Sequence, residues 1–262
     1  MYRIDKTTIE LSQCFDIAYL AAKKAAIAVM EIYHSDDWDI EIKSDNSPLT
    51  KADKESHQII ESYLLKTGIP ILSEEGKDIP FEIRKNWDYF WLVDPLDGTK
   101  EFVKRNGEFT INIALIHNHI PIWGVVLVPF LNKCYYMDAD KKVWLDDSGN
   151  VTRLVSKAKE FNPNDTGVRV VTSRSHLDEH TLRFIATLNQ PKVLPLGSSL
   201  KFMVLAEGLA DVYPRFAPTM EWDTAASQAI LNVLGWDVLD AESDNSLEYN
   251  KQSLINPGFI VR

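Results

Sequence analysis

Between residues 9 and 33 the apolar positions Leu11, Phe15, Ala18, Ala22, Ala25, Val29 and Ile32 recur at helical spacing, which predicts a long amphipathic helix at the start of the chain. A polar stretch, "KSDNSPLT", breaks the pattern with Asn46 and Pro48. A second helix is expected from Thr50 to Leu65, with Ile59, Ile60, Tyr63 and Leu64 on its apolar side and Gly68 and Pro70 ending it. "PILSEEG" reads as a short strand running into a loop. The alternating or continuous apolar runs "YFWLV", "FTINIALI", "IWGVVLV", "CYYM" and "KVWL" then predict strands, and their close succession from 109 to 145 predicts an antiparallel meander.

The pattern changes after the polar segment "SKAKEFNPNDTG". Strand-like "VRVVTSR", "KVLPL" and "DVYPR" alternate with helices expected over 177–188, 198–207 and 224–234. That alternation is the signature of an α/β unit. The expectation is an N-terminal α+β half, 1–160, followed by a C-terminal α/β half, 161–262.

Composition narrows the partners. The chain has 262 residues, 45% hydrophobic, with a formal charge of −10. An acidic balance argues against a nucleic-acid polymer, whose phosphates select basic surfaces. A small anion remains possible wherever a bound cation inverts the local field. Two cysteines, Cys14 and Cys134, suggest no disulfide framework and point to a reducing cytoplasm. Asp16, Lys23 and Lys24 interrupt the first apolar stretch too early for a signal peptide, and no window approaches a bare membrane span.

Candidate chemistry lies in carboxylates at the ends of elements: Glu74 and Glu75 after one strand, Asp94 and Asp97 after the next, Asp53 early in a helix, and Asp223 just before one. Each has a structural reading. Asp53 follows Thr50 at capping-box spacing, Asp223 suits an N-cap, Asp97-Gly98 is a turn dipeptide, and the glutamates fit a wet loop. Gathered at one sheet edge, however, such groups repel unless protonated or neutralised by cations. Oxygen donors without paired Cys or His suit a hard cation such as Mg²⁺. Gly98 and Thr99 are expected to open a helix, a ready anion seat. Metals beside an anion seat suggest a phosphate ester. Haloacid-dehalogenase-type phosphatases also end a strand in an Asp pair before Gly-Thr, but with the aspartates two apart. The spacing of three here decides against a phosphoaspartate.

With these residues assembled, the chain resembles the inositol monophosphatase superfamily of Mg²⁺-dependent, lithium-sensitive phosphatases. "SEE", "DPLDGT" and "WDTAA" carry the likeness, with Ser227 where many relatives have Gly. "SDNSPLTKAD", "DGTKEFVKRNGEFTINIAL", "SRSH", "GSSLKF", "VYPRF" and "NPGF" resemble its 3′(2′),5′-bisphosphate nucleotidases in particular. The resemblance implies a layered αβαβα sandwich with the site between the halves. It implies metal ligands Glu74, Asp94, Asp97, Asp223 and the Leu96 carbonyl for two or more Mg²⁺. Asp53 and Thr99, with Glu74, would act on the attacking water, and Gly98 and Thr99 would seat the phosphate. His176, Ser198, Lys201 and Arg215 match nucleotide-contacting positions, although His176 also reads as a loop residue and Lys201 as a solvated helix residue. Lys100, Lys104 and Arg105 add positive charge nearby or form a solvated face. The implied reaction is hydrolysis of adenosine 3′,5′-bisphosphate to AMP and phosphate, clearing a by-product of sulfate assimilation. Inositol-phosphate or fructose-bisphosphate specificity, and a regulator without turnover, are the alternatives. The resemblance leaves open a monomer or homodimer, and a peripheral association with the membrane.

Overall fold

The computed structural model of the chain describes residues 10–35, 38–42, 48–175 and 177–262; Asn46 and His176 lie outside them. Helix α1 (Leu11–His34) turns Cys14, Ala18, Ala21, Ala22, Ala25, Val29 and Ile32 inward; five of these belong to the stripe read from the sequence, whose Leu11 and Phe15 are half-buried against the core. Small alanines on that stripe let α2 (Lys51–Leu64) lie close against it, with the pairs β1 (Glu41–Ile42) and β2 (Pro48–Leu49) between them in sequence. Thr50 is the N-cap of α2, and its capping box is closed by Asp53.

Seven strands form the principal sheet: β3 (Ile71–Ser73), β4 (Tyr89–Asp97), β5 (Thr110–His117), β6 (Ile120–Val128), β7 (Lys133–Met137), β8 (Val143–Asp147) and β9 (Asn150–Leu154), in that spatial order. Only β3 and β4 run parallel; the rest is the expected meander, extended by β9. The short helices α3 (Phe81–Arg84) and α4 (Thr99–Val103) precede and follow β4.

The second sheet is built differently from the expectation. β10 (Arg169–Ser173) and β11 (Lys192–Leu196), joined through α5 (Glu179–Ala186), are parallel, as an α/β unit requires. After α6 (Leu200–Ala206), β12 (Tyr213–Arg215) meets β10 through the Val170–Val212 bridge. β13 (Thr219–Met220) leads into α7 (Glu221–Val233), and the chain closes with β14 (Val238–Asp240), β15 (Ile255–Asn256) and β16 (Phe259–Val261). β16 lies antiparallel between β12 and β14, so this sheet is mixed. Strands of two or three residues carry too few positions to show a period, which is why the last three escaped the sequence pattern.

Strand alternation places the layers. On β6, Trp123 stacks on Phe15 of α1 with ring centroids 5.1 Å apart, while the next residue, Gly124, faces Ala226 of α7. α1 and α7 therefore cover opposite faces of the principal sheet. In the second sheet Val170, Val212 and Ile260 pack with Phe184 and Ile185 of α5, whereas Val171, Tyr213 and Phe259 join the main core beside Phe202 of α6. The result is the αβαβα sandwich. α7, late in the chain, packs on the early sheet from the side opposite α1.

Candidate functional site

β4 delivers two aspartates because its ladder with β5 slips at the end. Asp94 pairs with Asn112 and Asp97 with Thr110, three steps on β4 against two on β5. The extra residue is a bulge, which re-aims side chains at a strand end. Asp94 is 1% exposed; its Oδ1 accepts the Leu96 N–H at 3.0 Å. The Pro95 carbonyl accepts the Ser56 hydroxyl of α2 at 2.7 Å, fixing the turn from the other side. Leu96 is buried, and its carbonyl lies 3.3 Å from the Thr99 hydroxyl. Gly98 then takes φ +94°, where a β-carbon would come within 3.0 Å of the Glu108 carbonyl oxygen. No other residue type fits that corner without strain.

Asp223 arrives from the far half on the first turn of α7. The N-cap is Met220 rather than Asp223, and the helix begins three residues earlier than its apolar pattern suggested. Asp223 occupies the third helical position, and its Oδ2 accepts the Met220 N–H at 2.8 Å. That bond closes the turn while the carboxylate stays with the other two. Single oxygens of Asp94, Asp97 and Asp223 lie within 4.8 Å of one another.

Three acids so close shift their titration together. Burial, then Glu74, Asp97 and Asp223, push Asp94 well above the usual carboxylate range. Burial, then Asp97, does the same to Asp223. Asp97 is also raised by burial, against the pull of Lys201 and the Ser199 hydroxyl. A pocket that penalises its own charges is relieved by a cation, and an all-oxygen donor set fits a hard divalent ion. Glu74, half-buried after β3, raises both Asp94 and Asp223 but stands outside the three-oxygen group; its N–H donates to the Val93 carbonyl at 3.1 Å. Glu75 is half-buried beside it and acts on Asp53.

Asp53 closes the capping box and also meets Thr99. Its Oδ2 accepts from the Thr50 backbone and hydroxyl, and its Oδ1 accepts the Thr99 hydroxyl at 2.9 Å. Burial raises its pKa to about 6 despite those donors.

A cavity of about 350 Å³ opens beside the carboxylates, lined by Glu74, Asp97, Thr99, Lys201, Arg215 and Asp223 among others. Lys201 and Arg215 are buried, so neither is a solvated charge. Burial lowers Lys201 to about 8, partly offset by Asp97, and its ammonium donates to the Ser198 carbonyl. Ser198, at φ +44°, turns the chain at the cavity wall. Gly98 and Lys100 also line the cavity, whereas Lys104 and Arg105 are exposed away from it, Arg105 over the Trp38 ring at 4.5 Å. The structure thus brings together Asp53, Glu74, Asp94, Leu96, Asp97, Gly98, Thr99, Ser198, Lys201, Arg215 and Asp223. Sequence reasoning passed over Ser199 and Asn112. Both sit in stretches that carried the resemblance, but an isolated Ser or Asn has no spacing signal of its own.

The family model described as "Inositol monophosphatase family" matches residues 10–258. The chain is 44% identical over 245 residues to the 3′(2′),5′-bisphosphate nucleotidase CysQ of Shigella flexneri, covering 92% of this chain and 96% of that one. The crystal structure of CysQ from Bacteroides thetaiotaomicron is similar at a TM-score of 0.85 with 41% identity, over 96% of this chain and 97% of that one. The Thermotoga maritima IMPase shares the fold, at a TM-score of 0.74 and 23% identity, over 94% of this chain and 90% of that one.

Proposed function

The chain belongs to the inositol monophosphatase family, and on that premise we propose that it is a Mg²⁺-dependent phosphatase that removes the 3′-phosphate of adenosine 3′,5′-bisphosphate, leaving AMP and phosphate. The observation that carries the reading is one cavity with two kinds of wall: at one, Asp97 and Asp223 backed by the buried Asp94, a seat for cations that would in turn hold a phosphate; at another, the buried cations Lys201 and Arg215. A substrate with two phosphates uses both. Nucleotidase specificity is further supported by relatives that carry that name and match across nearly the whole chain.

Asp94, Asp97, Asp223, Glu74 and the Leu96 carbonyl would hold the ions. Magnesium bound there supplies a lowered pKa for water and charge relief at the departing oxygen. The other tasks belong to the protein. Thr99, its hydroxyl donating to Asp53 Oδ1, orients the attacking water and passes a proton toward that carboxylate. With a pKa of about 6, Asp53 is a stronger base than an ordinary aspartate. Gly98 and Thr99 present the start of α4 to the scissile phosphate, and Arg215 and Lys201 clamp the second phosphate as charge-assisted donors. Ser198 and His176 are assigned to the nucleoside. The reading places the site at the seam of two halves, 1–160 and 161–262. Free, buried Cys14 and Cys134 accord with a reducing compartment, and among the described residues no helix is long and apolar enough to cross a membrane.

Phosphate release should be measured with Mg²⁺ on adenosine 3′,5′-bisphosphate, its 5′-phosphosulfate analogue, inositol monophosphate and fructose 1,6-bisphosphate, with and without lithium. The nucleotides should be preferred and lithium inhibitory. A preference for inositol phosphate would overturn the nucleotide assignment, and absence of release from every ester would overturn catalysis.

A further inference from the structure

Ser199 occupies the N-cap of α6, a position where serine ordinarily accepts a backbone N–H of its own helix. Its side chain makes no such bond. The hydroxyl, on a residue 1% exposed, is spent elsewhere: Oγ lies 2.8 Å from Asp97 Oδ2 and 3.0 Å from the backbone carbonyl of Asp223. Asn112, also 1% exposed, donates from Nδ2 to Ser199 Oγ at 2.9 Å. A hydroxyl has one hydrogen. With Asn112 donating to its oxygen, that hydrogen is directed away from Asn112, toward Asp97 and the start of α7.

One neutral side chain therefore touches two of the three carboxylate-bearing residues, which arrive on elements from opposite ends of the chain. Asp97 comes from β4 and Asp223 from α7. Asn112 adds a longer approach of its own to Asp97 Oδ2, at 3.4 Å, as does the Thr110 hydroxyl. All these donors converge on the same oxygen, so the rotation of the Asp97 carboxylate is determined by bonds that do not involve its ligand. Asn112 is the β5 partner of Asp94, so the support runs back to the third carboxylate through the ladder. Groups that orient metal ligands in this way commonly change metal affinity or activity by about 10–100-fold when removed.

We propose that Ser199, oriented by Asn112, is a positioning residue that fixes the Asp97 carboxylate and its separation from Asp223, and so sets the affinity of the site for its divalent cation. The inference rests on the metal-site reading above.

The test is a calorimetric titration of the substrate-free protein with Mg²⁺ and with Mn²⁺, paired with metal activation kinetics. Ser199→Ala should bind Mg²⁺ about 10-fold or more weakly, and its activation curve should move by a similar factor. At saturating metal, KM for the nucleotide should stay within about twofold and kcat should largely recover, a split that a general loss of structure does not give. Ser199→Thr, which keeps the hydroxyl, should restore affinity to within about threefold of the parent. A parental Mg²⁺ isotherm for Ser199→Ala would overturn the proposal. So would equal losses in the Ala and Thr variants, because the hydroxyl would then not be the operative group. Failure of the nucleotidase reading is distinguishable: the parent protein would release phosphate from no nucleotide, while the calorimetric difference would persist.

Discussion

Gly124 is where the fold and the site can be perturbed by one methyl group. It lies in the middle of β6, facing the backbone of α7; a β-carbon there would sit 3.0 Å from both Cα and the carbonyl carbon of Ala226, and closer still to its oxygen. Carbon atoms prefer roughly 3.5–4.0 Å, so Gly124→Ala demands a shift of about 0.5–1 Å. The obstruction is backbone, with no rotamer to yield. Overpacking of this kind costs about 1–3 kcal/mol. At roughly 2–4 °C per kcal/mol for a chain of this size, Tm should fall by about 2–12 °C. The helix that must move carries Asp223 one turn earlier. A displacement of about 1 Å at a reacting centre can cost on the order of 100-fold in rate. The assay is a thermal melt together with phosphate release over a Mg²⁺ series. A Tm within 1 °C of the parent, with unchanged kcat and metal dependence, would refute the argument that β6 and α7 meet backbone to backbone and that this contact holds Asp223 in place.

Two further substitutions test the electrostatics. Asp94→Asn keeps an oxygen for the Leu96 N–H and removes a buried charge held well above its ordinary pKa by burial and three acidic neighbours; ionisation of such a group at neutral pH opposes folding. In EDTA the variant should therefore melt at a higher temperature than the parent, yet show no Mg²⁺-induced rise and at least about 100-fold less phosphate release; a lower Tm in EDTA would contradict it. Asp211 tests the opposite sign away from the site. The Arg169 hydrogen bonds hold its pKa below the ordinary value, so its contribution to stability is full above an unfolded pKa of about 3.9 and fades as pH falls through the lower folded value. Urea melts of Asp211→Asn should show a deficit, about 1 kcal/mol or less for a partly exposed pair, that is constant from pH 5 to 8 and shrinks below pH 4. A deficit that persists undiminished at pH 3 would refute the charge-based account.

The sequence by itself determined the elements long enough to show a period: α1 and α2 with their inward stripes, the meander, and the change to alternating strands and helices. It also marked Asp94, Asp97 and Asp223, whose oxygens the fold gathers. A bulge-forming "DPLDGT" and a helix-opening "EWDTAA" are local instructions, legible because capping, turn chemistry and charge crowding act over three or four residues. Even there, position within the helix was decided by packing: Glu221, not Thr224, opens α7, because β13 and β15 pair immediately before it and the Met220 N–H finds the Asp223 carboxylate.

What only the tertiary structure decided is which of these carboxylates meet, and what holds them. Asp97 and Asp223 are separated by more than a hundred residues; α7, packed on the face of β6 opposite α1, brings them together. Lys201 reads equally well as a solvated helix residue in the sequence, and with Arg215 becomes a buried cavity wall because the second sheet closes over α6. Ser199 and Asn112 carry no pattern at all. Their hydrogen bonds run between segments whose separation along the chain says nothing about distance in space, and that distance is set by the packing of a helix between two sheets.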